Sequence, residues 1–224
     1  MQHRLAILVC LSLLTSLAFG SEDAPSWILR KNDNGIRVYT REQPGSSFEA
    51  VRTEMELEGV GLASLVALIN DPDACALLES RCAEAYVVER IAASDQLVYR
   101  HNDMPFPVKD RDVVLNFVTQ QDPNTLAVTI QVRNVNGVLP ENPRRVRLPS
   151  VDSGWVFTPL GEGRVEVVSE GHIDPGASLP AWMLNRFLID APFKTMEAVA
   201  ASVGDASYRD AALDFIQEPA QQAR

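Results

Sequence analysis

Few residues in this chain combine the types and the spacing that chemistry demands. Two of its three histidines, His101 and His172, lie beyond the first twenty residues, and neither belongs to a His-Glu-x-x-His metal pattern. No Gly-x-Ser-x-Gly elbow and no glycine-rich phosphate loop occurs. His172 and Asp174 stand two apart, so on a strand they share a face and could act as an acid/base pair. Without a nucleophile such a pair reads first as a structural hydrogen bond. Asp110, Arg111 and Asp112 follow Pro105-Phe-Pro107 and read as an ion pair that fixes the turn; the functional alternative is an arginine that meets a ligand's carboxylate or hydroxyl. No catalytic residue, metal ligand or cofactor is expected.

Cys75 and Cys82 are the cysteines that remain beyond the first twenty residues. On one continuous helix their Cα atoms would stand about 10 Å apart, beyond the roughly 7 Å reach of a bridge. A bond therefore requires the helix to break near Ser80, and the sequence leaves open both a bridge and two buried thiols. An oxidising compartment permits the bridge, and the chain starts as exported proteins do. Arg4 precedes an apolar run, Leu5–Leu14, and small residues, Ala18 and Gly20, precede an acidic segment. That layout predicts a secretory signal over residues 1–20, cut after Gly20, with release into the periplasm or the medium. The apolar run is about half the roughly 20 residues that cross a bilayer, which argues against an anchor.

Cleavage removes one cation and no acid, so the formal charge of −10 becomes one unit more negative. A surface this acidic repels phosphate backbones and anionic headgroups, which excludes nucleic acid as a partner and requires a local exception for membrane contact. What remains is enough chain for one domain with a sizeable core.

The elements that would position any site follow from periodicity. After a short lead-in with Trp27, residues Gly35–Arg41 read as a strand behind the turn at Asp33-Asn-Gly35. In Val51–Glu58, Val51, Thr53, Met55 and Leu57 alternate with charged residues, which puts one face in a core and one in water. Leu62, Leu65, Val66 and Ile69 then recur at helical spacing, and Asn70–Asp73 ends that helix and can cap another through Cys75–Glu79. Strand patterns resume at Ala85–Ile91, Gln96–His101, Asp112–Gln120, Leu126–Val135, Arg144–Leu148, Gly154–Pro159 and Arg164–Ile173. Such a series without alternating helices implies an antiparallel sheet. The last long element is a helix over Leu179–Val203, capped by Ser178, with Pro180 in its first turn, a kink at Pro192 and a stop at Gly204. Tyr208, Ala212 and Phe215 hint at a short amphipathic extension, and no internal repeat or linker points to a second domain.

A twisted sheet of this many strands curls, and its concave face needs a cover. One long helix is available, and Met183, Phe187, Ala191, Met196, Val199 and Val203 present apolar groups to that face. Taken alone, these residues are compatible with an ordinary solid core.

Specific residues point further. The run Leu97–Val114, with Met104-Pro-Phe-Pro107 and then Arg111-Asp112, resembles the signature of the START family, the lipid-transfer domains related to steroidogenic acute regulatory protein. Val146-Arg-Leu148 and Gly154-Trp-Val-Phe-Thr-Pro159 are similar to that family's paired central strands, and Ile173–Asn185 resembles the lead into its C-terminal helix. The motifs fall in the family's order and cover roughly residues 25–203.

The resemblance implies an α+β helix-grip fold, a curved antiparallel sheet wrapped around the long C-terminal helix, over residues 21–203, with 204–224 as an extension. It implies a tunnel for one hydrophobic ligand, lined by Glu79, Arg100, Asn102, Trp155, Phe157, Met183, Phe187 and Met196, with Glu79, Arg100 and Asn102 as the polar groups that orient it. The family's gate maps onto Asn136–Pro143, and Val138 and Leu139 in it, with Arg144 and Arg145 next to it, would make transient membrane contact. Phosphatidylcholine-binding relatives carry an arginine at the position that resembles Cys75, and without it phosphate pairing is lost; a sterol, fatty acid or other weakly polar lipid fits better than a choline phospholipid. The implied protein is a monomeric lipid carrier. Two alternatives remain: a cyclase-like helix-grip enzyme, and an interaction module with a collapsed cavity.

Overall fold

The computed structural model describes residues 26–176 and 181–220, with side chains for all of these except residues 181–187. Its strands are β1 (Ile28–Asp33), β2 (Ile36–Arg41), β3 (Ala50–Glu58), β4 (Cys82–Ala92), β5 (Asp95–Asn102), β6 (Arg111–Gln121), β7 (Val128–Asn134), β8 (Val146–Arg147), β9 (Ser150–Gly161) and β10 (Arg164–Asp174). Its helices are α1 (Leu62–Asn70), α2 (Cys75–Leu78) and α3 (Ala181–Ser202), with a 3₁₀ turn at Pro72–Ala74. The leader at residues 1–20, the cap assigned to Ser178 and the first-turn role of Pro180 lie outside the described residues.

The strands form one curved sheet in the order β1-β2-β3-β10-β9-β7-β6-β5-β4. Every pairing along that path is antiparallel. After β3 the chain passes to the opposite edge to begin β4, and α1, the 3₁₀ turn and α2 make that crossing. Asn34 and Gly35 both have positive φ, the conformation of the two-residue hairpin turn that joins β1 to β2. β9 must lie close to β7 at Gly154, where a Cβ would stand 2.7 Å from the Ile130 carbonyl.

Register carries the alternation of the sequence across the whole sheet. Val38 pairs with Thr53, Met55 with Val167, Val167 with Phe157, Phe157 with Val128, and Val132 with Phe117. These residues share the inner face, and with Leu62, Leu65, Val66 and Leu68 of α1 they form the principal core. α3 closes it through Phe193, Met196 and Val199, and Val203 just beyond the helix joins them, all buried. Lys31 Nζ stands 3.4 Å from the centre of the Phe193 ring, a cation–π contact that ties α3 to β1.

Four expectations change. The lead-in around Trp27 continues into β1, a strand made by its pairing with β2 and not by amphipathicity, since Ile28 and Leu29 are exposed. The strand read over Arg144–Leu148 shrinks to β8 between Pro143 and Pro149; it runs parallel to the start of β6, a place β7 leaves vacant. Ala191 faces water, because it lies two residues, about 200° of helical turn, from the buried Phe193. The amphipathic extension is a series of turns and not a helix; Tyr208, Leu213, Phe215 and Ile216 still pack against the core. Glu218 then caps α1, accepting from the N–H groups of Leu62 at 3.0 Å and Ala63 at 2.7 Å, in place of the side-chain cap that Gly61 cannot supply.

Candidate functional site

Paired residues on β5 and β6 share a face, so Asn102 with Arg111, Arg100 with Val113, Val98 with Leu115 and Gln96 with Phe117 all project inward. The inner wall is thus aliphatic and aromatic in the middle, closed at one end by Gln96, which donates to the Asn70 carbonyl at 2.6 Å, and charged at the other. There Arg100 donates to Glu79 Oε1 at 2.6 Å, and its guanidinium lies 5.6 Å from the Phe117 ring centre. Arg100 Nε is buried and has no hydrogen-bond partner among the described residues. Arg111 is buried as well and donates to the carbonyls of Pro175 and Lys109; burial pushes its pKa down, against the Asp110 carboxylate, which raises it.

Glu79 reaches this wall because α2 stops at Leu78. The Glu79 N–H donates to the Cys75 carbonyl and the Cys82 N–H to the Glu79 carbonyl, each at 2.8 Å. This turn brings the Cα atoms of Cys75 and Cys82 to 5.8 Å, and the two cysteines form a disulfide. The helix break that a bridge requires therefore occurs, one residue before Ser80.

The outer face of the same strands is also charged. Asp112 is almost fully buried; Arg147 donates to both of its oxygens, at 2.8 and 3.2 Å, and Tyr99 Oη donates to Oδ2 at 3.2 Å. Arg147 also reaches the carbonyls of Leu139 and Pro140. Arg145 donates to Tyr99 Oη and lies 3.8 Å from Glu84. Burial raises the Tyr99 pKa, as does the Asp112 charge. His101 Nε2 faces Asp110 at 3.3 Å and Asp103 at 3.5 Å. Asp112 thus pairs with Arg147 on β8 and not with Arg111, and the turn after Pro105-Phe-Pro107 is held by Asp110, which accepts from the Met104 N–H at 2.9 Å and faces His101.

Of the residues proposed to line a cavity, Glu79, Arg100 and Asn102 come together at the charged end. Trp155 and Phe157 share the inner face of β9, with ring centres 6.3 Å apart. Phe157 and Met196 are wholly enclosed. Met183 and Phe187 fall within α3, but their side chains lie outside the described residues. The loop assigned as a gate lies against the outer face: Leu139 packs on the small cluster of Leu97, Tyr99 and Val114, Arg145 is engaged as above, and Val138 and Arg144 are exposed. His172 donates to or accepts from Ser46 Oγ at 2.9 Å, while Asp174 accepts from the Gly176 N–H, so the two form no acid/base pair.

Two residues carry more weight here than the sequence reading gave them. Arg111 faces inward without a salt bridge among the described residues, a placement that only the β5–β6 register reveals. Phe106 is 98% exposed at the tip of the turn between β5 and β6; an aromatic between two prolines, with no alternating neighbours, was the available signal. Lys109 Nζ joins the base of that turn to the Pro143 carbonyl at 3.5 Å. No described helix is long and apolar enough to cross a membrane.

The family model described as the START domain matches residues 15–197. An uncharacterized protein of Pseudomonas aeruginosa is 29% identical over 183 residues, covering 82% of this chain and 89% of its own. START domain-containing protein 10 of Homo sapiens is 23% identical over 177 residues, 76% of this chain, and the match spans 60% of that relative's length. Among solved structures, a STAR-related lipid transfer protein fragment from Xanthomonas axonopodis superposes with a TM-score of 0.72 at 29% identity, covering 80% of this chain and 99% of that one. Human StAR-related lipid transfer protein 5 superposes with a TM-score of 0.68 at 15% identity, covering 81% and 88%; at that identity the likeness is one of fold.

Proposed function

This chain belongs to the START domain family, and on that footing we propose that it binds one hydrophobic, lipid-like molecule between α3 and the inner face of the sheet. The Xanthomonas axonopodis relative is named a STAR-related lipid transfer protein, which supports lipid binding in general terms. The observation that carries the reading is the Arg100–Glu79 pair with its orphaned Nε. Arg100 is largely buried beside Val98, Val113 and Phe117 while the Glu79 carboxylate is half-exposed, and a charge buried in that way stabilises a fold no better than an apolar residue of the same size would. A buried donor without a partner adds a further cost. Retaining both makes sense where a ligand's polar group completes the set, and a pocket with an apolar wall and a few convergent polar groups is how lipid sites orient their contents.

Arg100 and Asn102 offer donors and Glu79 an acceptor, which suits a hydroxyl or a carboxyl; we therefore favour a sterol or fatty acid over a choline phospholipid, since Cys75 is held in the disulfide and has no charge to offer a phosphate. Binding without turnover is our reading of activity, because the candidate acid/base residues His172 and Asp174 have separate partners. Export to an oxidising compartment is supported by the leader pattern and by the Cys75–Cys82 bridge. Membrane contact falls to the exposed Phe106 and Val138, with Arg144, because Arg145 and Arg147 are engaged on the sheet.

Titrating delipidated protein with a fluorescent sterol and a fluorescent fatty acid tests the proposal. Saturable one-to-one uptake of either is expected. Failure to take up any lipid class would leave a collapsed interaction module, and conversion of a bound lipid would replace the carrier with a cyclase-like enzyme.

A further inference from the structure

Behind the charged end of the inner wall, the disulfide encloses the residue that completes it. Glu79 is fastened at both ends of its own peptide unit, by its N–H to Cys75 and by its carbonyl to Cys82, and the Cys75–Cys82 bond closes the ring around it. Cys82 in turn pairs with Asn102 across β4 and β5. α2 has only four residues and no side-chain cap at its N-terminus, so a helix this short does not hold its shape unaided.

We propose that the Cys75–Cys82 disulfide is the positioning device for ligand recognition: oxidised, it presses the Glu79 carboxylate onto Arg100 and so aims Arg100 Nε at the ligand's polar group; reduced, it releases both. This rests on the lipid-binding reading above and adds a redox dependence to it. Cys75 and Cys82 are buried, at 2% and 8% exposure, so a reductant reaches the bond only through the surface above them. Both cysteines line a surface pocket of about 250 Å³ together with Pro72, Asp73, Ala76 and Ala83. A thiolate of a dithiol reductant attacks one sulfur, forms a mixed disulfide and expels the other cysteine as a thiolate. The second thiol of the reductant then displaces the first cysteine, so two electrons pass to the protein, Cys75 and Cys82 become thiols, and the reductant becomes the disulfide.

The test compares a fluorescent sterol bearing one hydroxyl with its methyl ether, using wild-type protein oxidised and reduced with dithiothreitol, the Cys75→Ser/Cys82→Ser variant, and Glu79→Gln. Oxidised wild type should prefer the free hydroxyl by roughly tenfold, as expected for one buried charge-assisted hydrogen bond. Reduction and the double serine variant should each abolish that preference, leave affinity for the ether in place and leave far-ultraviolet circular dichroism unchanged. Glu79→Gln should lack the preference in both redox states. In ligand-free wild type, the NMR resonance of Arg100 Nε–H should move on reduction, a readout that needs neither ligand nor variant. A preference that survives confirmed reduction, or a fixed Arg100 resonance, overturns the proposal while leaving lipid binding intact. Absence of binding to either sterol in any state removes the lipid reading and the proposal with it.

Discussion

β5 and β6 carry charge on both faces, and the two faces treat it differently. Outward, Asp112 is deeply buried yet accepts three hydrogen bonds, two from Arg147 and one from Tyr99, and Arg147 makes two more to the carbonyls of Leu139 and Pro140. Inward, Arg100 has one carboxylate and an unpartnered Nε, and Arg111 has carbonyls and no carboxylate in salt-bridge range among the described residues. The outer network is complete within the chain: it pins the 136–148 loop to the sheet and asks nothing of a ligand. The inner set is unfinished, and an unfinished set of donors facing an apolar wall is what a receptor for a mostly apolar molecule needs.

Removing the keystone of the complete network should have the largest effect. Asp112→Ala leaves the Arg147 guanidinium buried and unpaired, and stability should fall by about 3–5 kcal/mol in urea unfolding. The inner pair should behave in the opposite sense. Glu79→Leu with Arg100→Met should keep stability within about 1 kcal/mol of wild type or raise it, while affinity for a hydroxyl-bearing sterol falls roughly tenfold. A large loss of stability there would mean that the inner pair is structural too, and the contrast between the faces would collapse.

A third region calibrates the scale. Glu218 caps α1 from the far end of the chain, without belonging to either network, and Glu218→Ala should cost about 1 kcal/mol with no change in lipid affinity. The smallest effects are those of pH. The Asp110 carboxylate is held below its ordinary 3.8, chiefly by the Met104 N–H and then by His101. Its contribution is whole above about pH 4 and drains as pH falls through the lower folded value; the urea midpoint of Asp110→Asn should lack that decline. Tyr208 is pushed up to about 12 by burial and by its hydrogen bond to Asp71. Its contribution is present below about pH 10 and lost as pH rises towards 12, and Tyr208→Phe should remove that slope. An inner face insensitive to both titrations would sharpen the separation of the two networks.

Strict alternation in Val51–Glu58 determined by itself that a sheet with one wet face would form, because side chains on a strand can point only two ways. Helical spacing placed α1 and the buried Met196 and Val199 of α3 with Val203 at its end, and the ordered Pro-Phe-Pro, Arg-Asp and Gly-Trp motifs identified the family. Tertiary structure alone decided what each charge meets. Arg147 and Arg111 are both arginines near a turn, yet one completes a network and the other faces the wall, since β8 fills the place beside β6 that β7 leaves vacant. Whether Cys75 and Cys82 joined depended on the helix ending at Leu78, and the cap on α1 came from Glu218, far along the chain. Local pattern records which face a residue occupies; its partners come from segments distant in sequence, brought together only when the sheet closes.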